Sequence, residues 1–166
     1  MSTEGRTVVV TGGTRGIGLA IAEAVLREGH RLVICGRSSD NLEKALTYLA
    51  TVSPAKRVSG IQCDVADMSS VKRLMNHTVQ RFEGIDTLIN NAGVVTIASL
   101  EDTTEEQWKQ AVAINLTGLF NCCKAHHVPA FAAESIKTFP NNSRKQPSLT
   151  YPRRQVDFMR LRKVFI

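Results

Sequence analysis

The sequence predicts a three-layer α/β/α domain on a doubly wound parallel sheet, and three observations predict it. Short apolar runs rich in β-branched residues alternate with stretches of helical periodicity. A glycine-rich turn stands between the first run and the first helical stretch. The alternation then stops near Pro129, after about four strands. Strand–helix alternation at this spacing calls for right-handed crossovers, which put helices on both faces of a parallel sheet.

Each element follows from its residues. Thr7-Val8-Val9-Val10 is a continuous apolar run, the mark of a strand buried on both faces. Ile17, Ala20, Ile21, Ala24 and Val25 recur at helical spacing, and Gly29 closes that helix. Arg31–Cys35 reads as the second strand. Asp40-x-x-Glu43 resembles a capping box for the next helix, whose apolar face is Leu42, Ala45, Leu46 and Leu49. Val58–Cys63 is the third strand. Asp67 caps a helix carrying Val71, Leu74, Val79 and Phe82, which Gly84 ends. Asp86–Asn90 is the fourth strand. Thr104-x-x-Gln107 caps a long helix through Trp108, Val112, Leu116 and Phe120.

Charge divides the chain. Residues 1–136 carry 13 Lys/Arg against 14 Asp/Glu, whereas residues 137–166 carry 8 Lys/Arg and the single acid Asp157. The basic balance belongs to the tail alone. This break sets a domain over 1–129 and a divergent basic tail over 130–166, with Pro140, Pro147 and Pro152 as breakers. Positions 158, 161 and 165 of the tail fit a short amphipathic helix and 156 with 158 a strand; periodicity does not decide. A hydrophobic content of 43% with 22% charged residues excludes a disordered chain. No apolar run is long enough for a membrane span and the first residues have no signal-peptide shape, so a cytoplasmic protein is expected. The four cysteines lack metal-ligand or C-x-x-C spacing; small reduced core residues are expected, and no metal.

The chemistry-bearing motif is Thr11-Gly12-Gly13-Thr14-Arg15-Gly16-Ile17-Gly18. A glycine turn between strand and helix lets backbone N–H groups approach a pyrophosphate, with the positive end of the helix dipole behind them. Three further motifs fall in order: Cys63-Asp64-Val65, Asn90-Asn91-Ala92-Gly93, and Asn115 within Val112–Gly118. Together they resemble the short-chain dehydrogenase/reductase family over about residues 6–124. The resemblance implies a Rossmann-type domain, truncated here after about four strands. It places Thr11, Gly12, Thr14, Arg15, Gly16, Ile17, Gly18, Arg37, Asp64, Val65, Asn91, Ala92 and Gly93 at the cofactor and Asn115 in the catalytic group. From the residues alone, Asp64 can equally cap a helix, and the asparagines can satisfy loop backbone.

The end of the second strand reads Ile34-Cys35-Gly36-Arg37-Ser38. An NAD site places an acid there to accept from the ribose 2′-OH, whereas a 2′-phosphate calls for cations. No acid is present, and Arg37 with Arg15 offers two guanidiniums, so NADP is expected rather than NAD. As solvated surface residues both arginines need no ligand.

The resemblance also implies a Ser, and a Tyr-x-x-x-Lys pair that acts as acid/base. Tyr48 is followed four residues later by Val52 and Tyr151 by Gln155, so neither makes the motif; Ser135, Ser143 and Ser148 lack a strand to aim them. Arg153, Arg154, Arg160, Arg162 and Lys163 form a basic patch without stacking aromatics, so no specific nucleic-acid partner is expected. Three readings remain: an NADP-dependent oxidoreductase acting on a small alcohol or carbonyl, a non-catalytic NADP(H)-binding module that pairs with a full-length relative, or an unstable fragment.

Overall fold

The computed structural model describes residues 5–127. The tail from 130, with Tyr151 and the three serines, lies outside the described residues, as does the proposed boundary at 129. Four strands form one sheet: β1 (Thr7–Thr11), β2 (Arg31–Gly36), β3 (Val58–Gln62) and β4 (Thr87–Asn90). Their order is β3-β2-β1-β4 and every pair is parallel. Between them run α1 (Gly16–Arg27), α2 (Ser39–Val52) and α3 (Met68–Phe82). After β4 come a loop, α4 (Glu105–Val112), a π-helical stretch Ala113–Gly118 and α5 (Leu119–His127).

The continuous apolar run of β1 is explained by its place. β2 and β4 flank it, and helices cover both faces. Val8 and Val10 pack with Leu32, Ile34, Ala22, Leu26 and Leu49 on the α1/α2 side. Val9 packs with Val33, Val71, Leu74, Phe82 and Cys122 on the α3/α5 side. Alternation along the strand thus serves both layers. A fully buried Val, Leu or Ile contributes about 1.5–3 kcal/mol, so these two clusters dominate the stability.

The chain winds from β1 to β2 to β3 on one side, then crosses through α3 to β4 on the other. The winding direction reverses between β1 and β4, the topological switch point where open α/β sheets form their ligand cleft.

Several expectations are corrected. The helix after β2 is capped by Ser38, whose Oγ accepts from Asn41 N–H; Asp40 sits inside its first turn and the Asp40–Glu43 box does not form. The left-handed residue ending α3 is Glu83, with φ 65°, not Gly84. The buried stripe of α1 is Gly18, Ala22 and Leu26; of the expected face, Ile21 and Val25 pack against the core, whereas Ile17, Ala20 and Ala24 face solvent. Trp108, Leu116 and Phe120 are exposed, and the buried stripe is Ile114, Gly118, Cys122 and Ala125. Apolar residues surround this helix, so periodicity favoured the bulky line. The interior instead takes Gly118, Cys122 and Ala125, small residues that allow close approach: a Cβ on Gly118 would lie 2.6 Å from Cγ2 of Val65 in the loop after β3. Caps at Asp67 and Thr104 form as expected, the latter as a reciprocal box with Gln107.

Candidate nucleotide-binding site

A cleft of about 350 Å³ opens beyond the carboxyl ends of the strands. It is lined by the glycine turn, Arg37, the Cys63–Val65 segment, Asn91–Val94 and Ile114. The predicted positions Gly12, Thr14, Arg15, Gly16, Ile17, Gly18, Arg37, Asp64, Val65, Asn91, Ala92 and Gly93 therefore meet around one space. Thr11 lines the adjoining cleft that also holds Asn90 and Asn115.

The glycine turn is built for close approach. Gly12 and Gly16 have φ of 65° and 53°, conformations that L side chains rarely adopt. A Cβ on Gly18 would lie 2.1 Å from Gly12 O and 2.4 Å from Asn91 Nδ2, so the helix start packs directly on the turn. A Cβ on Gly16 would meet no atom within 4 Å, leaving space in front of the helix N-terminus. Ser38, Asp67 and Thr104 cap α2, α3 and α4 with their side chains, whereas Arg15 enters α1 with no side-chain cap. The first amides of α1 thus meet the cleft without a side-chain acceptor, as an anion site requires.

The side chains around this turn hold it in shape. Thr11 Oγ1 accepts from the N–H groups of Asn91 and Ala92, each at 3.1 Å, and donates to Ile89 O. Asn91 Nδ2 donates to Thr11 O and Gly12 O at 3.0 and 3.1 Å. Asn91 therefore reaches the cleft as a clamp across β1 and β4. Asp64 caps no helix; its Oδ1 accepts from Ala66 N–H in a tight turn while its own N–H donates to Ser70 Oγ.

Asn115 is exposed, and both ends of its side-chain amide are engaged. Its Oδ1 accepts from Val94 N–H and its Nδ2 donates to Val94 O, both at 2.9 Å. The side chain pins the loop after β4. It sits in the π-helical stretch, a local widening that often accompanies functional sites.

Asn121 was missed by the sequence reading. Buried on α5, it donates to Val65 O and Ala66 O at 3.0 and 3.1 Å, fixing the wall that Asp64 and Val65 form. Its signal was a polar residue inside the Ile114–Gly118–Cys122–Ala125 stripe.

Cys35 and Cys63 line the same cleft. The hydrogen bond Cys35 donates to Cys63, and then burial, hold the Cys35 thiol well above its ordinary value. Burial pushes Cys122 up to about 12, so it stays protonated and weakly nucleophilic. The described cysteines are free, and no metal-holding cluster exists among the described residues. No helix among them is long and apolar enough to cross a membrane.

A four-stranded parallel sheet with its cleft at the switch point and a glycine turn facing it defines a Rossmann-type α/β domain. The chain belongs to the short chain dehydrogenase family, whose profile matches residues 6–135. It is 38% identical over 117 residues to the NADP-dependent (R)-specific alcohol dehydrogenase of Lentilactobacillus kefiri, covering 70% of this chain and 45% of that protein. It is 30% identical over 125 residues to a 3alpha-hydroxysteroid dehydrogenase of Mediterraneibacter gnavus, covering 75% of this chain and 50% of that one. The solved glucose/ribitol dehydrogenase of Brucella melitensis superposes with a TM-score of 0.69 at 30% identity, over 74% of this chain and 51% of that one. The chain thus spans about half the length of the relatives it matches.

Proposed function

We propose that residues 5–127 form the cofactor half of an NADP-dependent oxidoreductase and hold NADP(H) in the cleft at the switch point. The observation that carries this reading is the uncapped start of α1 behind the glycine turn, facing a cleft with Arg15 and Arg37 on its rim. The amides of Gly16, Ile17 and Gly18 would take the pyrophosphate. Asp64 and Val65 would border the adenine. Arg15 and Arg37 would pair with the 2′-phosphate, since no acid stands at the end of β2. Ile17 is 62% exposed at the cleft, an apolar contact that a ligand would cover. NADP dependence is also in the name of the Lentilactobacillus relative.

When bound, the nicotinamide supplies or accepts the hydride exchanged with an alcohol or carbonyl. Residues 5–127 would bind and orient it, with Asn115 as a positioning residue through Val94. Tyr48, the tyrosine within this range, donates to Glu23 Oε2 at 2.6 Å on the outer surface of α1 and α2, away from the cleft. A proton donor and acceptor for the substrate would therefore come from outside these residues, and this segment by itself would bind without turnover. A non-catalytic module paired with a full-length relative is the second reading; the half-exposed β4 favours it.

A thermal melt with each nucleotide tests the proposal. A ligand at about 100 times its Kd stabilises the folded state by about 2.7 kcal/mol, a shift of several degrees. NADPH is expected to raise the Tm more than NADH, and Arg37→Glu to erase the difference. Equal shifts would remove the NADP preference. No shift with either nucleotide would sink the cofactor reading.

A further inference from the structure

The helical run after β4 grips the cleft at two walls. Asn115 pins Val94 on one of them. Asn121, in the first turn of α5, grips the other: its Nδ2 donates to Val65 O at 3.0 Å and to Ala66 O at 3.1 Å. Both amide hydrogens are thereby used. The side chain is 5% exposed and interrupts a buried stripe of Ile114, Gly118, Cys122 and Ala125. A carboxamide in such a place is costly unless its polar atoms are bonded, so its bonds define its role. Gly118, three residues earlier, allows the reach: a Cβ there would lie 2.6 Å from Val65 Cγ2 and 3.1 Å from Val65 Cβ. The turn that Asn121 holds is otherwise shaped from within α3 and itself. Asp64 N–H donates to Ser70 Oγ at 3.2 Å, Ala66 N–H to Asp64 Oδ1 at 2.9 Å, and Asp67 N–H to Asp64 O at 3.1 Å. The two asparagine bonds tie this turn to α5.

We propose that Asn121 is a positioning residue of the nucleotide site, setting the wall against which the adenine end of the ligand lies. The role rests on the proposed NADP(H) site and adds to it a residue that touches no ligand. Asn121 lines neither cleft, whereas Val65 lines both, so its influence passes through the Val65–Ala66 backbone. The other parts of the site have separate supports. Thr11 and Asn91 hold the glycine turn, and Asn115 holds Val94. Loss of Asn121 should therefore move the adenine wall and leave the pyrophosphate turn and the Val94 wall in place. Affinity for the adenine half of the ligand falls, and affinity for the rest does not.

Two ligands separate this role from a general loss of structure: NADPH, followed by its fluorescence, and adenosine 2′,5′-bisphosphate, which displaces it and lacks the nicotinamide half. In the full-length chain, Asn121→Leu should raise the Kd of both by the same factor, about tenfold for the loss of buried hydrogen bonds. Asn121→Ser, a smaller change that cannot span both carbonyls, should show the same equality. Val71→Ala serves as the control, since it opens the core on the same side of the sheet and should leave both Kd values unchanged. Hydrogen exchange without ligand supplies a readout independent of binding: the amides of Ala66 and Asp67 should exchange faster in Asn121→Leu, and that of Val94 should not. An unchanged Kd in both Asn121 variants would overturn the role, as would a larger loss for NADPH than for the bisphosphate, or an equal loss in Val71→Ala. Wild-type protein that binds neither compound would sink the nucleotide site itself and this role with it, even where exchange shows that Asn121 holds the turn.

Discussion

β1 has a strand on each side, and the two neighbours are held in different ways. In β2, Leu32 to Cys35 are at most 1% exposed, covered by helices and by β3. In β4 all four residues are half-buried, and among the described residues no strand pairs with its outer edge. Ile34 and Ile89 make the contrast direct, since both are register partners of Val10. Packing secures the first. Polar contacts secure the second: Thr7 N–H donates to Asp86 Oδ2 at 2.7 Å, Thr11 Oγ1 bridges Ile89, Asn91 and Ala92, and Asn91 clamps the glycine turn. The cleft lies on the seam between a packed half and a hydrogen-bonded half. A ligand bound there would touch both, so nucleotide binding and attachment of β4 should be linked.

The largest effect should come from the packed side. Ile34→Ala removes a fully buried side chain and should cost about 3–4 kcal/mol in urea unfolding, whereas Ile89→Ala should cost roughly half as much. Equal losses would break the contrast. Next comes the seam itself. Gly18→Ala forces a Cβ against backbone and the Asn91 amide, and overpacking of this kind costs about 1–3 kcal/mol. It should also abolish the nucleotide-induced Tm shift; a retained shift would show that the turn can relax without losing its ligand. Thr11→Val keeps the shape but leaves the amides of Asn91 and Ala92 without their acceptor, at about 2 kcal/mol. Hydrogen exchange should then quicken in β4 before β2, and uniform quickening would argue against a separate seam.

The same division governs what could be read from the sequence. Val8–Val10 and Leu32–Ile34 were legible as buried strands because packing on both faces demands uninterrupted apolar residues. The glycine turn was legible because few other residues tolerate its φ values. The four motifs identified a set of positions, and those positions line the clefts. What each side chain does there was hidden. Asn91 and Asn115 bond to backbone groups far away in sequence, and periodicity carries no information about such partners. The buried stripe of the helix after β4 was hidden for a related reason. Its apolar residues surround the axis, and only the fit of Gly118 against Val65 selects one side. Ser38 was overlooked as a cap because Asp40 and Glu43 offered a better-known pattern two residues later.

The smallest predicted effect lies on the outer surface of the packed half, where it tests whether that half depends on its core alone. Tyr48 donates to Glu23, which also accepts from Arg27 Nη2 at 2.6 Å. The Tyr48 hydrogen bond, then the Arg27 hydrogen bond, lower the Glu23 pKa. Its contribution is therefore present above the ordinary carboxylate value and is lost as pH falls through the lowered one, below about 4.3. Tyr48 shifts the other way, raised first by its bond to Glu23. Its contribution is present below the ordinary tyrosine value and is lost only as pH rises through the raised one, above about 10. Tyr48 is exposed and Glu23 half-exposed, so solvent screens the interaction. Tyr48→Phe should thus lower stability slightly at neutral pH, with the gap to wild type closing at both acid and alkaline extremes in pH-dependent melts. A loss as large as that of Ile34→Ala would mean that the α1–α2 surface, and not the buried sheet, holds the packed half together.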